Sequence, residues 1–221
     1  MSYLLRLVVP DRPGILGAVA TALGDARIDI VSVDVLERAG GVAVDDVVVD
    51  LPPGRLPDSL ITAAQQVPGV TVESLRPFAG PLDTHRELEL LDALARAAEG
   101  TAVKLLAAEL PRVFHSGWAA VLETADNSWR VGSSSEAAPS FDGVALPWMP
   151  LRGPRLLPSD EDWLPERWQE MAIEMMAAPY GGPGCAVVLG RSGGPAFRRS
   201  ELGRLVHLTG IATTVASLPP G

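Results

Sequence analysis

Residues 3–75 alternate between two hydrophobic periods, and this alternation restricts the fold more than any other feature of the chain. Apolar runs typical of strands are separated by runs in which apolar residues recur at helical spacing. The predicted order is strand (3–9), helix (15–23), strand (28–36), strand (42–51), helix (60–67), strand (70–75). Two helices on one face of a four-stranded antiparallel sheet, the ferredoxin-like βαββαβ arrangement, satisfy this order.

The parity of the apolar residues changes inside the second predicted strand. Ile28 and Ile30 share one parity, whereas Val31, Val33 and Val35 share the other. Because successive side chains of a strand point to opposite faces, the change predicts a bulge or a twist near Ile30.

Two short motifs surround the first predicted helix: Asp11-Arg12-Pro13-Gly14-Ile15-Leu16 before it and Ala26-Arg27-Ile28-Asp29-Ile30 after it. The region that contains them, about residues 3–76, resembles an ACT domain, a small regulatory module that usually binds amino acids. The resemblance implies that two subunits pair and that the ligand lies between the loop of one subunit and the second strand of its partner.

The resemblance therefore predicts a ligand site whose residues come from both subunits: Asp11, Arg12, Gly14, Ile15 and Leu16 from one, and Asp29, Ile30 and Val31 from the other. Free amide N–H groups at the start of the helix would receive a ligand carboxylate. Either Asp11 or Asp29 would receive the ammonium group.

This chain departs from many amino-acid-binding members of the family, which carry asparagine where it has Asp11 or Asp29. An extra negative charge near a ligand carboxylate weakens anion binding or requires a nearby cation. A purely structural interpretation also stays open: Asp11 caps the helix, Pro13-Gly14 forms the turn, and Asp29 faces water.

The second half of the chain has a different predicted order: two helices, a strand hairpin, an irregular stretch (132–167), a second hairpin and a final helix (200–216). This order, together with Ala178-Pro179, the strand 186–189 and the motif Phe197-Arg198-Arg199-Ser200-Glu201-Leu202, resembles a GAF domain over about residues 83–217. The resemblance implies a central antiparallel sheet with flanking helices. The sensor motifs of known GAF subfamilies are absent from the sequence, so the sequence predicts no particular ligand for this half.

We expect an α+β protein with two domains, an ACT-like domain (1–77) and a GAF-like domain (85–221). The segment between them, residues 78–84, contains Pro81 and Gly80 and has no periodicity. Such a composition predicts a linker.

Charge and cysteine content exclude several classes of function. The net charge of −9 disfavours nucleic acids and anionic membranes, because both are bound mainly through basic side chains. The apolar run of residues 1–9 is too short to cross a bilayer, so the expected location is the cytoplasm. Cys185 is the single cysteine, and its position beside an apolar run predicts a buried small hydrophobe and not a nucleophile.

No pattern in the sequence predicts a catalytic or metal site. His85, His115 and His207 are isolated, and the segment 190–194 is interpreted as a turn. All five tryptophans occur in the second half, where they are expected to pack in the core or its cover: Trp118, Trp129, Trp148, Trp163 and Trp168.

The predicted function is regulatory sensing of a small molecule, with an amino acid as the expected ligand, by a homodimer formed through the ACT-like domain. No cofactor is expected, and the output would pass through an unidentified protein partner. The alternative is an adaptor that only associates with itself or with another protein. An enzyme of unknown type is the third possibility.

Overall fold

The chain folds into two compact units, Met1–Asp83 and Thr84–Gly221. The computed structural model describes residues 1–78, 85–98, 100–125 and 128–216. The fold is α+β, with one antiparallel sheet in each unit. Apart from Phe78, the predicted linker lies outside the described residues, and the domain bounds 1–77 and 85–221 stay a prediction.

The first unit has the predicted order of elements. They are β1 (Ser2–Pro10), α1 (Ile15–Asp25), β2 (Asp29–Ala39), β3 (Val42–Asp50), α2 (Asp58–Gln65) and β4 (Thr71–Pro77). The strands lie in the order β2-β3-β1-β4, so β2 and β4 are the edge strands of the described sheet. This is the ferredoxin-like topology expected from the sequence.

The pairing of β2 with β3 contains two irregularities. The first register shift falls between Ile30 and Ser32, and the second between Val35 and Glu37. The bulge predicted near Ile30 is therefore confirmed.

The core of the first unit lies between the sheet and its two helices. It is formed by alternate residues of β1 and β3 together with one face of each helix: Tyr3, Leu5, Leu7, Val9, Ala43, Val47, Val49, Ile15, Val19, Leu23, Leu60, Ala63 and Ala64. Asp45 lies on β3 between Ala43 and Val47 and has their parity. A carboxylate thus occupies a position on the core-facing side of the sheet.

The opposite face of the same sheet carries a buried ion pair. Arg6 on β1 is paired in register with Asp46 on β3. The Nε and Nη2 atoms of Arg6 donate to Oδ1 and Oδ2 of Asp46, each across 2.8 Å. Since every residue from 43 to 49 is buried, both faces of β3 are covered.

The second unit forms a five-stranded sheet with helices. Its elements are α3 (Arg86–Ala95), α4 (Ala102–Val113), β5 (Trp118–Ala125), β6 (Ser128–Ser134), β7 (Arg155–Leu157), α5 (Glu166–Glu170), β8 (Ile173–Pro179), β9 (Cys185–Ser192) and α6 (Arg199–Ala216). The strand order is β6-β5-β9-β8-β7. One sheet face packs on residues from α3, α4 and α6, and the other packs on a cover contributed largely by residues 138–168.

Two features of the second unit are not visible in the sequence pattern. Helix α4 contains Pro111 and continues to Val113, because a proline so close to the helix end removes a hydrogen bond only near that end. The irregular stretch contains β7, of three residues, and the start of α5, of five residues. Elements this short do not show a hydrophobic period.

The segment 190–194, interpreted as a turn, begins with the last three residues of β9 and leads from that strand toward α6. Gly190 and Arg191 belong to β9, and the Arg191 side chain is buried. Its Nη2 donates to Oε1 of Glu201 across 2.6 Å and to the carbonyl of Phe114 across 3.0 Å, and its guanidinium lies 4.0 Å from the centre of the Phe197 ring. Glu201 also accepts the Arg198 N–H across 2.8 Å. The pair therefore joins β9 to the segment after α4 and to the start of α6.

Among the described residues, none of the helices combines the length and the apolar character that crossing a membrane requires.

Candidate functional site

The loop between β1 and α1 ends at a glycine with a positive φ. Gly14 has φ of 83°, in the left-handed region that glycine adopts without strain. Helix α1 begins at Ile15 with no side-chain cap and no acidic residue in its first turn. The turn role expected for Gly14 is thus observed, but Asp11 does not cap the helix, so that part of the structural interpretation was wrong.

Asp11 instead pairs with a residue of β2. The Nε and Nη2 atoms of Arg38 both donate to Oδ1 of Asp11, the first across 3.1 Å, and the Asp11 N–H donates to the carbonyl of Gly41 across 2.8 Å. The Arg38 side chain is 66% exposed. Arg38 therefore supplies the cation that the aspartate at position 11 requires, and the sequence analysis missed it.

The loop, the first turn of α1 and parts of β2 and β3 enclose a cavity of about 270 Å³. It is lined by Val9, Asp11, Arg12, Pro13, Gly14, Ile15, Leu16, Gly17, Val35, Arg38, Ala43 and Asp45. All five residues predicted for the loop side of the site are thus brought together. We call this space the loop cavity.

The other three predicted residues are not in the loop cavity of the same chain. Asp29 pairs with Asp50, whereas Ala39, at the cavity end of β2, pairs with Val42. Arg38 lies nine positions after Asp29 along the strand, which corresponds to about 30 Å. Asp29, Ile30 and Val31 can therefore complete this site only from a partner subunit, and that role stays a prediction.

Asp45 is the second residue of the cavity that the sequence analysis missed. It is 1% exposed, and neither carboxylate oxygen accepts a hydrogen bond from any described residue. Burial, and then the charge of Asp46, raise the pKa of Asp45; Arg38 lowers it and Asp11 raises it further. The available signal was the Asp45-Asp46 doublet inside an otherwise apolar strand, which places one carboxylate on each face of the sheet.

In the second unit the tryptophans pack as expected. Trp118, Trp148 and Trp168 are buried, and Trp129 and Trp163 pack against the same cluster. The Trp118 ring contacts Trp168, with their centres 6.4 Å apart.

Cys185 has the properties of a structural cysteine. Burial, followed by the charge of Glu123, raises the pKa of its thiol to about 11. The thiol is thus protonated at neutral pH, whereas nucleophilic cysteines act as thiolates. The described histidine, cysteine, aspartate and glutamate residues include no group of three or more arranged to hold a metal ion.

Comparisons with known proteins find GAF domains among the solved structures. A search of curated proteins finds no match. Among solved structures, the GAF domain of nlh2 from A. aeolicus is 10% identical, covers 59% of this chain and 94% of its own, and has a TM-score of 0.42. The GAF domain of an Acinetobacter phosphoenolpyruvate-protein phosphotransferase is 9% identical, covers 63% and 95%, and has a TM-score of 0.47. A GAF domain/HD domain protein from Geobacter sulfurreducens is 19% identical, covers 61% and 93%, and has a TM-score of 0.41.

The family comparison concerns the unit that contains the loop cavity. The family model described as "ACT domain" matches residues 3–69, which include β1, the loop, α1 and the β2–β3 hairpin. This match confirms the resemblance to an ACT domain that the loop and second-strand motifs carry.

Proposed function

We propose that the protein is a regulatory sensor that binds a small molecule, with an amino acid as the ligand, in the loop cavity of its ACT domain. The observation that carries this proposal is the uncapped start of α1 beside Arg12 and Arg38 in one cavity. The partial positive charge of a helix N-terminus and nearby cations together favour a carboxylate. A regulatory module of this kind also fits a protein that is not an enzyme.

The size of the cavity supports a small ligand. Its volume of about 270 Å³ lies just below the 300–1,000 Å³ typical of sites for drug-sized molecules. An amino acid carries one anionic and one cationic group, and the loop cavity is lined by two acids and two arginines: Asp11, Asp45, Arg12 and Arg38.

The edge strand β2 supports the proposed homodimer. Val31, Val33 and Val35 are 37%, 45% and 47% exposed, respectively, and they alternate along a strand with one unpaired edge. Exposed apolar edges favour pairing with another strand. Val35 and the partly exposed Leu16 also line the loop cavity, so a partner seated on β2 would lie beside the ligand.

Thermal shift measurements with each of the twenty amino acids at millimolar concentration test the ligand. A ligand that binds only the folded protein raises its melting temperature. At a ligand concentration 100 times Kd, the free energy of unfolding increases by about 2.7 kcal/mol. Gly14→Asp should abolish the shift, because it places a carboxylate beside the N–H groups proposed to hold the ligand's own.

Two control variants separate charge from backbone strain at position 14. Gly14→Asn places a side chain of nearly the same shape as aspartate, but without its charge, at the same φ as in Gly14→Asp. It should retain most of the binding. Gly54→Asp introduces the same residue at φ of 82°, with open space around the added Cβ as at Gly14, but outside the cavity. If all three variants bind the amino acid as the wild type does, the site is not the loop cavity.

Sedimentation of the full chain tests the dimer. Val33→Lys on β2 should shift the protein toward the monomer, because it places a charge in the proposed contact. Leu56→Lys, at a residue that is 73% exposed, is the matched control and should leave the assembly unchanged. A monomeric wild type at tens of micromolar would refute the dimer.

The valine edge also favours a second candidate function, an adaptor that dimerises without a ligand. The two functions differ in one measurement. A dimer that none of the twenty amino acids stabilises would support the adaptor.

A further inference from the structure

Asp45 is buried at a position that costs stability, and no hydrogen bond from the described residues offsets that cost. It lies on β3 among apolar core residues, and neither of its oxygens accepts a hydrogen bond from the described chain. Burying a carboxylate without a partner is unfavourable, and such groups are normally paired. Asp46, its neighbour on the other face, shows the usual solution in its pair with Arg6.

The cations near Asp45 do not neutralise it directly. Arg38 interacts with Asp45 through its charge, but its hydrogen bonds go to Asp11. The remaining cation that lines the cavity is Arg12, which lies in the loop. The charged groups that act on Asp45 are thus Asp46, behind it on the other face of the sheet, Arg38 on β2 and Asp11 on the loop. Arg12 lines the same cavity.

The cavity is therefore polarised by its own residues. At one side lies the N-terminus of α1, which has no side-chain cap and carries partial positive charge. The N–H of Ile15 already donates to the carbonyl of Arg12 across 3.4 Å, so the N–H groups of Leu16 and Gly17 are the ones proposed to face the ligand. On the strand side lies Asp45, a buried acceptor without a hydrogen-bond donor among the described residues. A molecule with a carboxylate at one end and a protonated amine at the other would satisfy both.

We infer that Asp45 is the residue that receives the ammonium group of the ligand, and that the loop cavity selects zwitterions over molecules with only an acidic group. The inference rests on the proposed function and deepens it, because it names the ligand class and the acceptor. It replaces Asp11 and Asp29 in the role that the sequence analysis gave them. Asp11 is already paired with Arg38, whereas Asp29 lies at the far end of β2 and could reach the loop cavity only from a partner subunit.

Hydrogen bonds to charged groups explain the expected size of the effect. Asp45→Asn keeps the shape of the side chain and removes its charge, so binding of an amino acid should weaken roughly 10- to 100-fold. The wild type should prefer an amino acid over the matching 2-hydroxy acid by a similar factor. In Asp45→Asn this preference should nearly disappear, because the group that recognises the amine has been changed.

The control variant is Asp34→Asn on β2, which removes one negative charge at an exposed position that does not line the cavity. It should bind as the wild type does. Circular dichroism verifies that each variant is folded, and Asp45→Asn is expected to fold because it removes an unpaired buried charge.

The experiment is a thermal shift and calorimetry panel on the full chain with three matched sets of probes: amino acids, their 2-hydroxy acids, and primary amines with the same side chains. Amino acids that stabilise the wild type but not Asp45→Asn, with hydroxy acids inactive, support both the inference and the proposed function. If amines stabilise only proteins that contain Asp45, and amino acids do not bind, the role of Asp45 as the amine acceptor is supported and amino-acid sensing is refuted.

The remaining outcomes are equally decisive. If amino acids and hydroxy acids bind equally well and Asp45→Asn changes neither affinity, the proposed function stands and the inference is overturned. If no probe of the three sets binds to the wild type, both are overturned.

Discussion

Removal of Arg191 should destabilise the second unit strongly. The Arg191–Glu201 pair is buried, at 2% and 2% exposure, with 2.6 Å between Nη2 and Oε1. Breaking a buried ion pair on one side costs about 3–5 kcal/mol, because the remaining charge is left in a medium of low polarity. Arg191→Met therefore removes a large part of a total stability of about 5–15 kcal/mol.

The loss should be smaller when the acid is changed. In Glu201→Gln the guanidinium keeps the Phe114 carbonyl and the face of the Phe197 ring. We expect a loss of about 1.5–3 kcal/mol, the range for a hydrogen bond that involves a charged group. The double variant should lose less than the sum of the two single losses, because neither charge is then left without its partner.

Urea unfolding followed by tryptophan emission is the appropriate assay, because all five tryptophans lie between residues 118 and 168, in the second unit. With a slope of about 2 kcal/mol per molar urea, a loss of 3 to 4 kcal/mol lowers the midpoint by about 1.5 to 2 M.

Arg130→Met is the control. It breaks a pair with Glu123 whose side chains are 70% and 27% exposed, and such surface pairs contribute at most about 1 kcal/mol. The reasoning would be refuted if Arg191→Met lowered the urea midpoint no more than Arg130→Met does. It would also be refuted if the stability loss of the double variant equalled the sum of the two single losses.

Two further predictions concern packing and pH. Gly190→Ala should unfold or severely destabilise the second unit, because the added Cβ would lie 2.0 Å from Cζ2 of the buried Trp118. The control, Gly210→Ala on α6, has open space around the added Cβ and should be neutral or stabilising by up to about 1 kcal/mol. Near-ultraviolet circular dichroism and thermal unfolding compare the two variants, and equal melting temperatures would contradict the packing argument. Because the pKa of Asp45 is raised in the folded protein, Asp45 keeps its proton in the folded state at pH values where it has lost it in the unfolded chain. This interval begins at the ordinary aspartate pKa of 3.8 and ends at the pKa in the folded state. Within it, Asp45 makes the folded protein less stable as pH rises. Asp45→Asn should therefore gain stability relative to the wild type as pH rises through this interval, as measured by far-ultraviolet circular dichroism in denaturant, and a gap that does not change with pH would count against the buried charge.

The fold of the first unit was predictable because its elements have clear local periods. The strand from Ser2 and the helix from Ile15 are each long enough to show one, and the parity change at Ile30 even indicated the bulge. By contrast, β7 and α5 are held by pairing and packing with distant residues and carry no period of their own.

Half of the site escaped prediction for a related reason. Gly14 and its neighbours are contiguous in sequence, so their motif is visible. Arg38 and Asp45 reach the loop only because β2 and β3 pair in one register, and Arg191 meets Glu201 only because α6 returns to the end of β9. Local patterns do not contain that information.

The adjacent carboxylates of β3 make its alignment ambiguous. If β3 slipped by one residue so that Asp45 instead of Asp46 lay opposite Arg6, Asp46 would move to the core-facing side of the sheet. Valines would still lie on both sides of the sheet. Side-chain chemistry alone therefore separates the two alignments poorly. The discrimination falls to the two-residue turn Gly40-Gly41, whose φ values of 62° and 80° suit a tight hairpin and set Ala39 opposite Val42. A change in the length of this turn, far from the core, would thus decide which of two aspartates faces the loop cavity.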